Sequence, residues 1–179
     1  MAGLTSISSY SASVEWERKA LRAIATGVTP HFVPDADMLA IQRRRVAAYT
    51  AANGAASTAL VLGATPELAD LALRAGLRLI WVDSSPAMFA AARQRREVAE
   101  SPDEQSIVAN WLAMPVIGAG TIDIVLGDAA LNNVAQEDMG AVLDEISRIT
   151  RPGSLVSLRQ IVLPDAPVAH YEFQNALAA

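Results

Sequence analysis

The chain has 179 residues, of which 52% are hydrophobic and 18% charged, a balance typical of one globular domain with a substantial core. A net charge of −5 argues against a general binder of nucleic-acid backbone, and no apolar run approaches the roughly 20 residues that span a bilayer. The lack of cysteine excludes thiolate metal ligands, and two histidines do not indicate a metal centre. With no apparent signal peptide, we expect a cytoplasmic protein without nucleic-acid, membrane or metal partners.

Two helices are predicted to precede the first strand. Residues 1–13 are rich in serine and small residues and are expected to form an N-terminal arm. A first helix is predicted over Val14–Thr26, and a second over Asp35–Ala52, with Asp35 as its N-cap and Asn53-Gly54 as its stop. The second helix carries three consecutive arginines, Arg43–Arg45. Successive helical residues point about 100° apart, so at most one or two of them can face a common ligand.

A βαβ unit is predicted next, between Thr58 and Asp83. A short apolar run, Ala59–Leu62, leads into Gly63, a helix over Pro66–Arg74 and a strand over Gly76–Asp83. Parallel strands with a right-handed crossover leave a crevice beyond their carboxyl ends, where free helix N–H groups and a terminal carboxylate can hold a ligand. The unit therefore predicts a nucleoside-containing ligand, with Asp83 holding the ribose hydroxyls.

The rest of the chain alternates strands and helices. In chain order we predict a helix from Ser84-Ser85-Pro86 to about Val98, strands over Ser106–Ala109 and Ile122–Leu126, a helix over Glu137–Thr150, a turn at Arg151–Gly153, a strand over Ser154–Val162 and a short helix after Pro164. The helix before the turn is expected to bury Met139, Val142, Leu143, Ile146 and Ile149. This alternation predicts an α/β fold with an open, doubly wound, mostly parallel sheet and helices on both faces. We expect residues 1–57 to form an arm and helical cap, and residues 58–179 the Rossmann-like core.

Five segments between about Ala59 and Leu163 resemble the class I S-adenosylmethionine-dependent methyltransferases. In chain order they are Val61–Glu67, Val82–Met88, Asn110–Pro115, Asp123–Asp128 and Arg151–Gly153. The resemblance implies S-adenosyl-L-methionine as cofactor and methyl transfer to a small-molecule acceptor. It identifies neither the acceptor nor a catalytic residue.

The same resemblance implies a set of cofactor-binding residues at the ends of the strands. The first loop would pass under the methionine part, Asp83 would hold the ribose, Asn110 the adenine amine, and Gly127 and Asp128 would border the transferred methyl group. The complete set is Gly63, Ala64, Thr65, Asp83, Ser84, Met88, Asn110, Trp111, Gly127 and Asp128. Each has a structural alternative: a helix-capping Asp83, a tight turn at Gly63, a core Met88 or Trp111, a loop amide at Asn110, or a simple turn at Gly127-Asp128. Weaker candidates are Asn132, Asn133, His31, His170 and one of the three arginines.

The chain departs from the family pattern in two ways. Val61 stands where the family has an acid, and Gly63 is the only glycine of the first loop, so the loop must take a different path or bind more weakly. Few residues follow the fifth strand, which is therefore expected to be an exposed edge that allows a homodimer. These departures favour, as an alternative, a non-catalytic methyltransferase-like binding or assembly domain. A third reading, an NAD-dependent oxidoreductase, lacks both the G-x-G-x-x-G turn and a hydride-transfer set.

Overall fold

The computed structural model describes residues 34–54 and 56–161, together with Arg18 and Arg22. Its helices are α1 Ala36–Asn53, α2 Pro66–Arg74, α3 Pro86–Arg93 and α4 Met139–Ile149; its strands are β1 Thr58–Leu62, β2 Arg78–Asp83, β3 Glu104–Val108, β4 Ile122–Asp128 and β5 Thr150–Arg159; and two short 3₁₀ turns cover Leu131–Asn133 and Gln136–Asp138. Several predictions fall outside the described residues. They concern the helix over Val14–Thr26 apart from Arg18 and Arg22, both histidines, and the segment after Pro164. Among the described residues, no helix is both long and apolar enough to cross a membrane.

The five strands form one sheet in the order β3-β2-β1-β4-β5, and every neighbouring pair is parallel. The predicted doubly wound sheet is therefore confirmed. Strand β1 lies at its centre and all five of its residues are buried, which explains why its sequence reads as a short run dominated by apolar residues. Because β2 and β4 lie on opposite sides of β1, the chain reverses its direction of winding there.

The two faces of the sheet bury different partners. Helices α1, α2 and α3 cover one face, where Val46, Leu68 and Trp81 belong to one apolar cluster. Helix α4 covers the other face together with the irregular segment 109–121, which contributes the buried Met114 and Ile117. Helices lie on both faces as predicted, and an irregular segment without a helix connects β3 to β4.

The helix ends follow their local sequence. The Asp35 carboxylate accepts a hydrogen bond of 2.6 Å from the Met38 N–H and so begins α1, and Gly54 ends it with φ +89°. Ser85 caps α3 by accepting from the Met88 N–H at 3.3 Å. In contrast, α2 begins at Pro66 without a side-chain cap, so its first N–H groups have no such partner.

Two predicted boundaries are wrong because side chains redirect the chain after α3. The helix ends at Arg93 and not near Val98, since Arg96 and the Glu97 N–H both turn back to the carboxylate of Asp70. Strand β3 begins at Glu104, two residues before its predicted start, because Arg96 also holds the carboxylate of Glu104. The spacing of apolar residues in the sequence does not predict these ionic contacts.

Two more predictions need correction, one in β5 and one in α4. The predicted turn at Arg151–Gly153 lies inside β5, where the register jumps from Ile122 opposite Thr150 to Ile124 opposite Leu155. Gly153 takes φ +83° in this irregularity, so the sequence Arg-Pro-Gly makes a bulge in a strand. Leu143, which we expected to be buried, is 48% exposed, whereas Val142, Ile146 and Ile149 are buried as predicted.

A buried ionic cluster joins several elements on one face of the sheet. The Arg96 guanidinium contacts Asp70 of α2 at 2.9 Å and Glu104 of β3 at 2.6 Å, and all three side chains are 3–5% exposed. Arg96 also lies over the indole of Trp81, 5.7 Å from the ring centre. The cluster therefore ties α2, the turn after α3, β2 and β3 to one another.

Candidate functional site

The polar residues predicted to bind a ligand gather at the carboxyl edge of the sheet. Gly63 follows β1, Asp83 ends β2 and Asp128 ends β4. Since β1 lies between β2 and β4, these positions surround the point where the winding reverses. In open α/β sheets this is the place where a crevice forms and ligands bind.

Gly63 makes the first loop turn sharply and has both of its backbone groups bonded. Its φ of +88° is in the left-handed region, which favours glycine. Its N–H donates to the Val82 carbonyl at 2.8 Å, and its carbonyl accepts from the Thr65 N–H at 2.8 Å and from Nε1 of Trp81 at 2.7 Å. The N–H groups of Gly63 and Thr65 are thus used inside the protein.

Asp83 connects the first loop to the second. Its Oδ2 accepts from the Ala64 N–H at 2.9 Å and its Oδ1 from the Ser85 N–H at 2.8 Å, and the Ser84 N–H acts on it as well. Burial raises the pKa of Asp83, while the three N–H groups oppose that rise by favouring the ionised form. A carboxylate has about four acceptor positions, so one remains for a ligand hydroxyl. Asp83 therefore fits both the capping role and the ribose-binding role.

The other predicted residues of the second loop lie at the start of α3. Ser84 is exposed and Met88 is half-buried. Ser85, which we did not select, is buried and provides the cap. Ser84 is therefore free of that structural task and lies next to Asp83 at the crevice.

Asn110 and Trp111 follow β3 but have different neighbours. Asn110 is exposed, and its Oδ1 accepts from the Leu112 N–H at 3.0 Å, as a loop amide does. Trp111 is half-buried and donates from Nε1 to the Val82 carbonyl at 3.2 Å. Its ring lies 3.6 Å from the position that a Cβ on Gly63 would take. The structure thus brings Trp111 against the first loop, and does not by itself bring Asn110 there.

Gly127 and Asp128 have close protein neighbours at the end of β4. A Cβ added to Gly127 would lie 2.8 Å from Cδ2 of Leu158 and 3.2 Å from Cβ of Ala130, so the absent side chain leaves room for protein atoms. The buried Asp128 carboxylate is bound by Arg159 through both oxygens, one contact being Nη2 to Oδ2 at 3.0 Å. Arg159 therefore neutralises the acid that the sequence placed nearest the transferred group.

The weaker candidates serve the structure in the described part of the chain. The side chain of Asn132 both donates to the Ile161 carbonyl at 2.8 Å and accepts from its N–H at 3.0 Å, which joins the loop after β4 to the end of β5. Asn133 donates to the Ala129 carbonyl. Among the three arginines, Arg45 donates to Oγ of Ser157 at 2.7 Å. No group of three histidine, aspartate or glutamate side chains that could hold a metal ion occurs among the described residues.

Sequence reasoning missed two residues at the site, Trp81 and Arg159. A buried tryptophan needs an acceptor for its N–H, and Trp81 lies two residues before the end of β2, so its indole reaches the first loop. This signal was present in the sequence. The pairing of Arg159 with Asp128 depends on the register of β4 against β5, which an irregularity shifts. No local pattern contains that register.

A parallel sheet in this order, with a tight glycine turn after β1 and an acid at the end of β2, defines the class of Rossmann-like α/β folds. Within that class, a family model described as a methyltransferase domain matches residues 60–153, more than half of the chain. The chain belongs to this methyltransferase family. A search of curated proteins finds no significant match.

Solved structures share the fold at low sequence identity. An N-methyltransferase from Haemonchus contortus, bound to phosphomonomethylethanolamine and S-adenosylhomocysteine, aligns with 69% of this chain at a TM-score of 0.54 and 16% identity. The N-methyltransferase NodS from Bradyrhizobium japonicum, bound to S-adenosylhomocysteine, aligns with 81% at a TM-score of 0.59 and 14% identity. The 1,6-didemethyltoxoflavin-N1-methyltransferase from Burkholderia thailandensis aligns with 88% at 0.54 and 20% identity. The chain spans 28%, 70% and 65% of their respective lengths.

Proposed function

We propose that the chain binds S-adenosyl-L-methionine at the carboxyl edge of β1 and β2 and transfers its methyl group to a small-molecule acceptor. The observation that carries the proposal is the Asp83 carboxylate, which joins the two loops through the Ala64 and Ser85 N–H groups and keeps one acceptor position for a ribose hydroxyl. Membership of the methyltransferase family supports the same ligand. So do the structural relatives, which were solved with S-adenosylhomocysteine.

The residues present fit this cofactor, and the fit differs from a glycine-rich loop. The N–H groups of Gly63, Ala64 and Thr65 are bonded within the protein, so the ligand would meet the Thr65 hydroxyl and the uncapped first turn of α2. Trp111 lies beside the loop and would pack against a bound ring. The predicted contacts of Ser84, Met88 and Asn110 remain part of the proposal, whereas the missing side chain of Gly127 leaves room for Leu158 and Ala130.

A sulfonium cofactor supplies an already activated methyl group, which leaves alignment of the acceptor and exclusion of water to the protein. Both oxygens of Asp128 contact the Arg159 guanidinium, so this carboxylate is already held in an ion pair within the protein. The geometry thus favours an acceptor atom that needs no proton removed by Asp128, such as a neutral amine, a sulfur or a reactive carbon.

We assign contacts with the acceptor to the part of the chain before β1, residues 1–57, for which the sequence predicts an arm and a helical cap. In the described part, α1 packs against α2 and β5. Its N-cap, Asp35, is near enough to Arg159 to add to the rise in the pKa of that arginine, which Asp128 mainly causes. The start of α1 therefore lies near the carboxyl ends of β4 and β5, which supports this assignment.

Calorimetric titration of S-adenosylhomocysteine into the purified chain tests the proposal, with NAD as the comparison ligand. In Asp83→Asn one oxygen becomes an NH₂ group, which accepts neither from a ribose hydroxyl nor from the Ala64 or Ser85 N–H that it faces, so affinity should fall about 10- to 100-fold. Asp103→Asn is the matched control, because Asp103 is exposed and its carbonyl accepts from Leu79 at the opposite edge of the sheet. Failure of the unsubstituted chain to bind S-adenosylhomocysteine would refute the proposal, and binding of NAD instead would favour an oxidoreductase.

The occupied Asp128 carboxylate also favours a second candidate, a binding or assembly domain of this family without catalysis. A binding domain would still hold the cofactor, whereas an assembly domain need not. Catalysis distinguishes the first candidate from the second, and a panel of amine, thiol and carbon acceptors would measure turnover with radiolabelled methyl groups. Binding without transfer to any of these acceptors would favour the second candidate.

We further propose that two copies associate through β5. In the described part of the chain β5 pairs only with β4, and Val156 is 45% exposed on it. Light scattering should then report a dimer that Val156→Lys dissociates, and a monomer at high concentration would refute the association. The cytoplasmic location expected from the sequence also remains a prediction.

A further inference from the structure

Two tryptophans approach Gly63 from opposite faces of the sheet. Trp81 is fully buried in the cluster under α1, α2 and α3, and its Nε1 donates to the Gly63 carbonyl at 2.7 Å. Trp111 packs on the cluster of the other face, and its ring lies 3.6 Å from the Cβ position of Gly63. The single glycine of the first loop is thus held between two indoles.

The bond from Trp81 determines which way the loop backbone faces. The Gly63 N–H is bonded to the Val82 carbonyl, and the Gly63 carbonyl accepts from both the Trp81 indole and the Thr65 N–H, so the peptide planes on both sides of Gly63 have fixed orientations. The next N–H, that of Ala64, then points to the Asp83 carboxylate at 2.9 Å. A rotated peptide at Gly63 would break the Trp81 bond and move the Ala64 donor away from Asp83.

We propose that Trp81 is a positioning residue for the first binding loop. The indole N–H of Trp81 fixes the path of this loop, which lacks the further glycines of the family pattern. This inference rests on the proposed function for its effect on the cofactor, while the effect on the loop stands on the contacts alone. Trp81 touches no ligand position, since it is fully buried. It acts through Gly63 and Ala64 on Asp83.

The indole itself is held in place on two sides, so it is a firm anchor. The ring of Phe89 meets it edge-on, with centres 5.4 Å apart and planes at 78°. The Arg96 guanidinium lies over it at 5.7 Å and is fixed by Asp70 and Glu104. A loop held by such an anchor loses little freedom when a ligand binds, which favours affinity.

Trp81→Phe tests the inference because phenylalanine keeps an aromatic ring in the core but has no N–H to donate. In the unliganded protein, hydrogen–deuterium exchange in a peptide over residues 62–68 should become faster, while exchange in β4 stays unchanged. Affinity for S-adenosylhomocysteine should fall about threefold to tenfold, the loss expected for one hydrogen bond. Unchanged exchange in the loop would overturn the inference.

Phe89→Leu is the matched control. It removes the edge-on ring contact with Trp81 but leaves the indole N–H and Gly63 in place, so it should lower stability without faster exchange in the loop. Equal loop exchange in both variants would mean that Trp81 acts through packing alone, which contradicts the inference.

One further measurement needs no variant that might fail to fold. The Nε1 proton of Trp81 in the unsubstituted protein should be protected from solvent exchange in an NMR spectrum, and rapid exchange would overturn the inference. If the unsubstituted chain does not bind S-adenosylhomocysteine, the proposed function and the cofactor effect of Trp81 both fail. The exchange data would still decide whether Trp81 holds the loop.

Discussion

Gly127→Ala separates two explanations of a glycine at the end of β4. The sequence resemblance assigns Gly127 to the cofactor, whereas in the structure its missing side chain leaves room for Leu158 and Ala130. A Cβ at 2.8 Å from Cδ2 of Leu158 and 3.2 Å from Cβ of Ala130 is too close to both. The Leu158 side chain can move because it is only partly buried, but the Ala130 Cβ is attached directly to the backbone.

We therefore expect Gly127→Ala to lower the free energy of unfolding by about 1–2 kcal/mol, within the usual range for overpacking. For a chain of this size, each kcal/mol lowers the midpoint of thermal unfolding by about 2–4 °C. Urea titration followed by circular dichroism measures the change. Adding Leu158→Val should remove the closest contact, so the double variant should lose less stability than the two single changes together.

The opposite pattern would refute this reasoning. If Gly127→Ala unfolds at the same urea concentration as the unsubstituted chain but binds S-adenosylhomocysteine more weakly, the glycine serves the ligand and not the packing. If the double variant shows purely additive losses, Leu158 is not the atom that the new methyl group meets.

Two further predictions concern charge. Arg96→Met should destabilise the fold by about 3–5 kcal/mol, because it leaves the carboxylates of Asp70 and Glu104 buried without a cation. The control, Arg93→Met, breaks an ion pair whose side chains are 40% and 69% exposed, and should cost at most about 1 kcal/mol. Equal losses of stability in urea titrations would show that burial of the cluster does not matter. The pKa of Asp83 is raised above its usual 3.8. The contribution of Asp83 to the stability of the fold is therefore fully present below pH 3.8 and is lost as the pH rises through the higher pKa of the folded state. Affinity for S-adenosylhomocysteine changes in the opposite direction and falls on acidification. Calorimetry across this acidic range should show that fall in the unsubstituted chain and not in Asp83→Asn, and the same pH dependence in both proteins would exclude Asp83 as its source.

The fold was predictable because its signals are local. Asp35, Gly54, Ser85 and Pro86 begin or end helices through their own conformations and hydrogen bonds, and the buried run at β1 is visible as a short apolar segment. The doubly wound, parallel type of the sheet followed from the alternation of strands and helices, whereas the strand order comes from the structure. By contrast, the end of α3 depends on the contact between Arg96 and Asp70, which lie 26 positions apart. The spacing of apolar residues does not predict such a contact.

The candidate site divides in the same way. The position of Asp83 at a strand end was visible in the sequence, and the structure adds that its carboxylate is already bonded to the first loop. The neutralisation of Asp128 by Arg159 was not visible, because it depends on which residues face one another across β4 and β5. Residue types at strand ends therefore predict a candidate site at this edge of the sheet. Which of its lone pairs and N–H groups are available to a ligand depends on the register of the strands.

A glycine-poor loop and a rigid support under it have one physical explanation. In a glycine-rich loop the backbone can approach a ligand closely, but it also has more conformations to lose. Here the loop has one glycine, Gly63, with φ +88°. Side chains hold the loop at both ends, because Trp81 donates to the Gly63 carbonyl and Arg95 contacts Glu67 at 2.5 Å in the first turn of α2. The loop thus gives up N–H groups that a ligand would otherwise use and gains a fixed shape. Under the proposed function, recognition of the cofactor would then depend on Asp83 and on surfaces beside the loop, which makes Trp111 and Thr65 the first residues to examine in a liganded structure.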